Sequence, residues 1–243
     1  MVALEVVARS AGGASKDAAR FKRLSREERR AQLLEVAETL LASRRFADIS
    51  VEDIAAAGGV SPGLLYRYFP NKEAFFAAAV ERAADELVSM CEPAPGTDSL
   101  AAIRAGVSGY LDFLESRPTV YLNLFRDDAV ALPTIVAVVD ATRGRLVEVI
   151  LRSVPLVKVE LPATRLALWG YTANADATAS RWLEQGEPTR ERVEDLLLYA
   201  LTAALAAGLA IDLCKRPDLL AQLLKETAPI HQHLRARLGI APA

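Results

Sequence analysis

Apolar residues recur along this chain at the three- and four-residue spacing that places side chains on one face of a helix. The first run with this spacing comprises Leu33, Val36, Ala37, Leu40 and Leu41. It follows Ser25 and Glu28, which have the separation of a capping box, a pair of side chains that satisfies free backbone N–H groups at a helix start. The pattern therefore predicts a helix over residues 26–45.

Most of the remaining chain shows the same helical period. Helices are predicted at residues 51–57, 72–90, 99–115, 118–127, 132–153, 162–185, 189–214 and 217–238. Several of them begin at or beside a proline, which a first helical turn tolerates because its N–H groups have no partner within the helix. The segment PAPGTD at residues 93–98 breaks the pattern. No period-two alternation is long enough for a sheet, so the chain is predicted to be all-α.

The most informative segment is VEDIAAAGGVSPGLLYRYFPNK at residues 51–72. Gly58 and Gly59 interrupt the helical pattern, and glycine closes a helix because it adopts left-handed backbone angles at little steric cost. Ser61 then stands at an N-cap position and Pro62 at the first position of a second helix. The segment is predicted to form a helix-turn-helix, the unit that places its second helix in the major groove of DNA.

The run VEDIAAAGGVSPGLLYRYFPNKEAFFAAAVE resembles the DNA-binding domain of the TetR (tetracycline-repressor) family of bacterial transcription regulators. The resemblance is closest over residues 50–79 and extends back through the preceding helix; the rest matches only in helical layout and length. It implies a three-helix DNA-binding domain at residues 25–85 and a helical ligand-binding and dimerisation domain at residues 86–243. Gly58 departs from the family pattern, where alanine is common, and is expected to loosen the end of the first motif helix.

The resemblance also implies which residues contact DNA. Phosphate contacts are expected from Ser61, Tyr66, Tyr68 and Lys72, and the positions nearest base edges are Pro62, Gly63 and Arg67. Ser50, the N-cap of the first motif helix, and Leu64 complete the candidate set, although the family commonly has a small or hydroxylated residue at the position of Leu64. Arg67 is the side chain of this segment that can form a bidentate pair with guanine. Leu65 and Phe69 are interpreted as core of the small domain.

A cluster of basic residues lies ahead of and inside the first predicted helix: Arg20, Lys22, Arg23, Arg26, Arg29 and Arg30. The formal net charge of −2 argues against general affinity for nucleic acid, so this local cluster matters more than the total. Two interpretations stay open. The cluster and the flexible basic leader at residues 1–24 form an arm along the DNA phosphates, or they are a solvated flank.

The larger side chains of the second half are candidates for the wall of an apolar ligand cavity: Tyr110, Phe113, Tyr121, Phe125 and Trp169. Asn174 and Asp176 lie in an otherwise apolar helix and are candidates for orienting a polar group of the ligand. The alternatives are ordinary core packing for the aromatic residues, and a place across a dimer interface or solvent exposure for Asn174 and Asp176.

Stripes of small and leucyl residues on the helices at 162–185 and 189–214 allow close helix contact. In the family that the motif resembles, such late helices form the interface of a homodimer. Paired recognition helices also match two half-sites of a palindromic operator. A homodimer is therefore expected, with ordinary packing within one chain as the alternative.

Catalytic and metal-binding interpretations find little support. His231 and His233 are the only histidines and, two residues apart, lie on different faces of a helix; Asp127 and Asp128 are adjacent rather than placed as an acid and a base. Two distant cysteines lack metal-site spacing and suit a cytoplasmic protein with reduced thiols. No run of eighteen apolar residues and no signal-peptide pattern is present. We expect no enzyme, no cofactor, no metal and no membrane partner.

The sequence therefore predicts a homodimeric regulator that binds a palindromic double-stranded DNA operator. It is expected to be a repressor that a small apolar effector, which the sequence does not name, releases from the operator. The alternative is a helical ligand-sequestering or protein-interaction module without operator binding.

Overall fold

The computed structural model describes residues 25–126, 132–154 and 160–218, together with isolated positions farther on. The leader at residues 1–24, the adjacent Asp127 and Asp128, and most of the helix predicted at 217–238, including both histidines, lie outside the described residues.

The described residues fold into α-helices joined by short connections, with no strand among them, which confirms the all-α prediction. The helices are α1 (Arg26–Ser43), α2 (Val51–Ala57), α3 (Pro62–Tyr66), α4 (Lys72–Cys91), α5 (Ser99–Ser116), α6 (Pro118–Arg126), α7 (Pro133–Arg152), α8 (Pro162–Gln185) and α9 (Arg190–Asp212). All nine of these helices start within two residues of the position expected from the pattern, and every end that the pattern predicts is equally close, because proline and capping side chains mark many of these positions.

The first helix ends two residues earlier than predicted. Arg44 has extended backbone angles (φ −141°, ψ 150°), and a short 3₁₀ helix at Phe46–Asp48 follows. Phe46 drives this turn because its ring is buried edge-to-face against Phe76, with the ring centroids 5.1 Å apart. A hydrophobic contact distant in sequence thus ends α1, which local periodicity does not reveal.

The structure has two hydrophobic cores, and helices α4 and α7 contribute to both. The first core joins α1 to α4 around Leu33, Ile54, Phe75 and Phe76, and it also contains the fully buried Ile135 from α7. The second core is built from the end of α4 and from α5 to α9. The boundary expected between residues 85 and 86 therefore falls inside an unbroken helix that contributes to both cores.

The corner between α2 and α3 depends on two glycines with different roles. Gly59 carries the left-handed backbone (φ 62°), whereas Gly58 is right-handed (φ −81°) and buried. A Cβ atom at Gly58 would lie 2.7 Å from Leu33 Cδ2. The end of α2 is closed by hydrogen bonds from Gly58 N to Ile54 O and from Val60 N to Ala55 O, both 2.9 Å. Gly58 thus permits close packing of α1 on the motif.

The start of α8 is capped by the last residue of α9. Asp212 accepts hydrogen bonds from Ala163 N (3.0 Å), Thr164 N (2.8 Å) and Thr164 Oγ1 (2.7 Å). One turn earlier, Gly208 brings the backbones of the two helices together, since a Cβ atom there would lie 2.8 Å from Thr164 N. The α8–α9 hairpin is therefore fixed at its open end by a carboxylate cap and a glycine contact.

One described helix, α9, is long and apolar enough to cross a membrane by length and composition. The inward side of α9 is buried core, including Val193, Leu197 and Leu201, and it packs against α8. Burial in a protein core accounts for its apolar composition as well as a membrane would.

We expect Gly208→Ala to lower the free energy of unfolding by about 1–3 kcal/mol, because the added methyl group meets the rigid backbone of Thr164. Gly144→Ala is the matched control: it also lies within a helix, but its new Cβ meets nothing within 4 Å. The control is expected to raise stability by up to about 1 kcal/mol through helix propensity. Urea unfolding followed by circular dichroism measures both, and equal effects of the two variants would contradict the close α8–α9 contact.

Candidate DNA-binding surface and ligand cavity

The α2–α3 motif presents most of its predicted DNA-contacting residues on its outer side. Ser50, Ser61, Pro62, Gly63, Tyr66 and Arg67 are exposed, Leu64, Tyr68 and Lys72 are partly buried, and Leu65 and Phe69 are buried. The interpretation of Leu65 and Phe69 as core residues is confirmed. Tyr66 is 51% exposed, an unusual fraction for a tyrosine that has no outward role.

The second motif helix is only five residues long. Ser61 begins it, with its Oγ accepting a hydrogen bond from Leu64 N (3.2 Å), and Pro62 follows at the first helical position. Arg67 is the C-cap, with right-handed angles that continue the turn. Its side chain therefore leaves from the exposed end of α3, next to the exposed Tyr66.

Lys72 was expected to contact a phosphate, but the structure gives its ammonium group partners inside the protein. Nζ donates hydrogen bonds to Phe46 O and Ile49 O, each 2.9 Å, and lies 4.2 Å from the centroid of the Phe46 ring. Partial burial lowers the pKa of Lys72. An ammonium has three donors, and two of those of Lys72 hold the 3₁₀ turn before α2.

An ion pair holds the start of α2. Ser50 and Asp53 form a capping box, with Asp53 N to Ser50 Oγ at 3.0 Å and Ser50 N to Asp53 Oδ2 at 2.8 Å. Arg44 pairs with the other oxygen of Asp53 at 3.0 Å. The Arg44 guanidinium, and then the Ser50 donors, hold the pKa of Asp53 well below its usual value. The Ser50 hydroxyl is thus engaged in capping, which fixes the first motif helix against α1.

A cavity of about 160 Å³ lies between the two cores. Its wall is mostly apolar and comes from α1 and from α4 to α9. Ala37 and Leu41 of α1 belong to the wall, so the cavity borders the DNA-binding domain directly. On the same border, Asn123 of α6 donates a hydrogen bond from Nδ2 to Leu41 O (2.6 Å) at the end of α1.

A polar cluster centred on Asp176 lies on this wall. Asp176 Oδ2 accepts from Arg143 Nε (3.2 Å) and from a terminal guanidinium nitrogen (3.0 Å), and Oδ1 accepts from Tyr110 Oη (3.1 Å) and Tyr121 Oη (3.5 Å). Burial raises the pKa of Asp176 in spite of the Arg143 guanidinium, and it also raises the pKa of both tyrosines. The cluster ties α5, α6, α7 and α8 together around the cavity.

The structure brings together only part of the predicted ligand-binding set. Tyr110, Phe113 and Tyr121 line the cavity. Trp169 and Asn174 lie outside this wall: α8 turns Leu168, Thr172 and Ala175 inward, so helical geometry directs residues 169 and 174 to the exposed side. The side chain of Phe125 lies outside the described residues.

Sequence reasoning missed several residues of the wall. Arg143 and Arg117 were not predicted, because each lies among ordinary helix surface residues and its partner is distant in sequence: Asp176 for Arg143, and Glu86 at 2.9 Å for Arg117. Asp176 itself carried a signal, as a carboxylate in an apolar helix. Among the described residues, no group of three or more histidine, cysteine or carboxylate side chains is placed to hold a metal ion.

Family comparisons match both parts of the chain. Residues 33–79, which run from α1 through the motif into α4, match the bacterial regulatory proteins of the tetR family. Residues 101–204 match a tetracyclin repressor-like C-terminal domain. A relative, the HTH-type transcriptional activator FasR of Mycolicibacterium smegmatis, is 32% identical over 175 residues, which are 70% of this chain and 78% of that protein. The chain belongs to the TetR family.

Two further TetR-family proteins support the same assignment. The HTH-type transcriptional regulator EthR of Mycobacterium tuberculosis (strain H37Rv) is 33% identical over 105 residues, which are 42% of this chain and 49% of that protein. The crystal structure of a tetR-family transcriptional regulator from Streptomyces coelicolor covers 89% of this chain and 100% of its own, with a TM-score of 0.70 and 27% identity. The resemblance seen in the motif is thus confirmed over both parts, and the chain is a DNA-binding transcription regulator.

The Asp176 cluster generates a prediction on pH dependence. A carboxyl whose pKa is raised on folding binds its proton more tightly in the native state than in the unfolded state. Its effect on stability is therefore most favourable below the unfolded pKa and is lost as the pH rises through the folded pKa. We expect this contribution to be lost over this range in the wild type, so the stability of the wild type relative to Asp176→Asn should fall as the pH rises.

Urea unfolding at a series of pH values from about 4 to 7, the range set by the ordinary carboxyl pKa, measures this difference. Asp140→Asn is the control, because Asp140 also pairs with Arg143 but is about half exposed. Parallel curves for wild type and Asp176→Asn would contradict the burial argument.

Proposed function

We propose that this regulator binds a palindromic operator as a homodimer and releases it when a small apolar molecule enters the cavity. One observation carries the proposal: the exposed face of the motif and the cavity are built on the same helices. The exposed face of α2 and α3 offers donors to DNA, and the cavity shares α1 and α4 with the domain that bears this face. A DNA surface and a ligand site built on common helices can bias one another.

The DNA contacts follow from the exposed face. The short α3 would enter the major groove, with Pro62, Gly63 and Arg67 nearest base edges. Phosphate contacts would come from Ser61, Tyr66, Tyr68 and the third N–H donor of Lys72. Ser50 caps α2 and would lie beside the DNA backbone. Leu64, which is partly buried, would contribute apolar contact only. These contacts place base reading mainly on Arg67.

The homodimer is supported by a face of α8 and α9 that we call the seam. Its large apolar residues are exposed in the monomer: Leu166 at 72%, Trp169 at 42%, Leu196 at 51% and Ile211 at 66%. Small exposed residues, including Ala177, Ala203 and Ala207, lie between them on the same helix faces. An exposed apolar patch of this kind marks an interaction surface. A second copy with the same face would bury it by two-fold symmetry.

The sign of regulation and the location complete the proposal. The protein acts as a repressor released by its ligand if the ligand in the cavity and the operator favour different arrangements of α1 and α4. The relative FasR is named a transcriptional activator, so the sign is to be measured rather than transferred. The related bacterial regulators suggest a cytoplasmic location and no catalytic activity. The alternative is a helical ligand-sequestering or protein-interaction module.

A gel shift with DNA from upstream of the chain's own gene separates the regulator from the alternative. The regulator predicts binding that survives excess competitor DNA and weakens with salt. Binding that competitor DNA abolishes, or no binding, would favour the sequestering module.

Arg67→Ala and Arg67→Lys distinguish base reading from phosphate contact. A guanine contact predicts a loss of about 1–3 kcal/mol in specific binding for both variants, because lysine cannot reproduce the bidentate pair. Arg67→Lys should retain the charge and therefore the salt slope. Fluorescence anisotropy on the bound duplex and on a scrambled duplex measures both quantities. An unchanged preference for the bound duplex in Arg67→Ala would remove Arg67 from base reading.

Ala207→Arg tests the seam. A charged side chain buried between two copies should convert the protein to a monomer and weaken operator binding together, because two linked half-sites become one. Ala105→Arg, on the exposed side of α5, is the matched control and should remain dimeric. Sedimentation velocity at micromolar concentration measures the state. A wild-type monomer, or a dimer that persists in Ala207→Arg, would contradict this use of the seam.

A further inference from the structure

The polar side chains on the cavity wall show which kind of ligand the cavity can accept. The hydroxyls of Thr142, Thr172 and Ser153 each donate to a carbonyl of their own helix, 2.7–2.9 Å away. The Tyr110 and Tyr121 hydroxyls donate to Asp176. These groups have their hydrogen bonds before any ligand enters.

Tyr171 differs from the other wall hydroxyls. It lies on α8 against the second core and lines the cavity, and within the described part of the chain no hydrogen-bond acceptor meets its hydroxyl. Burial raises the pKa of Tyr171, so the group stays a neutral donor. A partly buried tyrosine O–H usually finds a partner. A ligand oxygen in the cavity would supply one.

The charges of the wall disfavour an ionised head group. All three nitrogens of the Arg143 guanidinium have carboxylate partners, two hydrogen bonds going to Asp176 and one to Asp140. Arg117 is paired with Glu86 through two hydrogen bonds. An anionic ligand would have to remove an arginine from its partner and leave a carboxylate with less compensation, which is costly. A cationic head would meet an Asp176 whose two oxygens already accept from Arg143 and two tyrosines. The other carboxylate of the wall, Glu38, is exposed on α1, where solvent weakens an ion pair.

The wall of the cavity is long for its volume. Its wall on α4 runs from residue 79 to residue 91, which corresponds to roughly 18 Å at the helical rise. The cavity offers about 160 Å³ to the centres of water-sized groups. A compact cavity of about this volume holds a benzene ring. Spread along α4, the same volume admits a chain in single file rather than a broad ring system.

We propose that the cavity binds an uncharged, chain-shaped lipophile whose oxygen accepts a hydrogen bond from the Tyr171 hydroxyl. This proposal names the ligand class of the effector site. Its role in regulation rests on the proposed function, whereas binding of the ligand does not. Tyr171 sets the preference for a neutral oxygen, and the paired arginines set the discrimination against acids.

Three probes of equal chain length test the head-group preference by isothermal titration calorimetry: decan-1-ol, decanoate and decylammonium. Decan-1-ol is expected to bind the wild-type protein at least tenfold more tightly than either ion. Equal or tighter binding of decanoate or decylammonium would overturn the proposal, and so would the failure of all three to bind.

Tyr171→Phe tests the residue. Decan-1-ol should bind about three- to tenfold more weakly, as expected for one net hydrogen bond, while stability to urea is not reduced because no partner is lost. Tyr199→Phe, on α9 and away from the cavity wall, should leave the affinity unchanged. Unchanged affinity in Tyr171→Phe would overturn the role of this hydroxyl.

Operator binding is measured separately by gel shift with and without decan-1-ol. If decan-1-ol binds but leaves operator affinity unchanged, the effector function is refuted, whereas the proposed ligand class is not.

Discussion

The structure depends on one unbroken helix that belongs to both hydrophobic cores. The first half of α4 supplies Phe75 and Phe76 to the core beneath the DNA-binding motif, and its second half supplies Val88 and Cys91 to the second core. Its twenty residues contain neither glycine nor proline, the usual causes of a kink. Arg145 pairs with Asp85 (2.7 Å) and Arg117 with Glu86 (2.9 Å), which tie the second half of α4 to α7 and to the junction of α5 and α6. The orientation of the motif is therefore set by how α4 packs.

This constraint explains why the cavity and the DNA surface concern the same elements. α4 forms one long wall of the cavity, while α1, which α4 packs against, reaches the cavity through Ala37 and Leu41. The hydrogen bond from Asn123 to the end of α1 comes from α6, the helix that also carries Tyr121 of the Asp176 cluster. Because packed cores transmit displacement rather than absorb it, we expect a change in the spacing of these helices to move the motif as a unit.

The sequence predicted the fold wherever local chemistry marks an element. Ser25, Ser50, Ser61 and the first-turn prolines gave the helix starts, and the motif residues gave the family. It did not reveal the contacts that join distant parts of the chain: Phe46 ends α1 early, and Lys72 donates to carbonyls more than twenty residues away. Long-range contacts also explain why the sequence predicted only part of the cavity wall. Aromatic size suggested Trp169, whereas the phase of α8 decides which residues face inward, and partners such as Arg143 are recognisable only after the helices assemble.

The central claim is that a rigid α4 and the α8–α9 seam hold two recognition faces at one fixed separation. The most direct measurement is a pull-down of fragmented genomic DNA with the purified protein, followed by sequencing of the bound fragments. The account predicts a small set of fragments sharing an inverted repeat whose half-sites have one constant spacing. Recovery in proportion to input, or half-sites without a constant spacing, would contradict it.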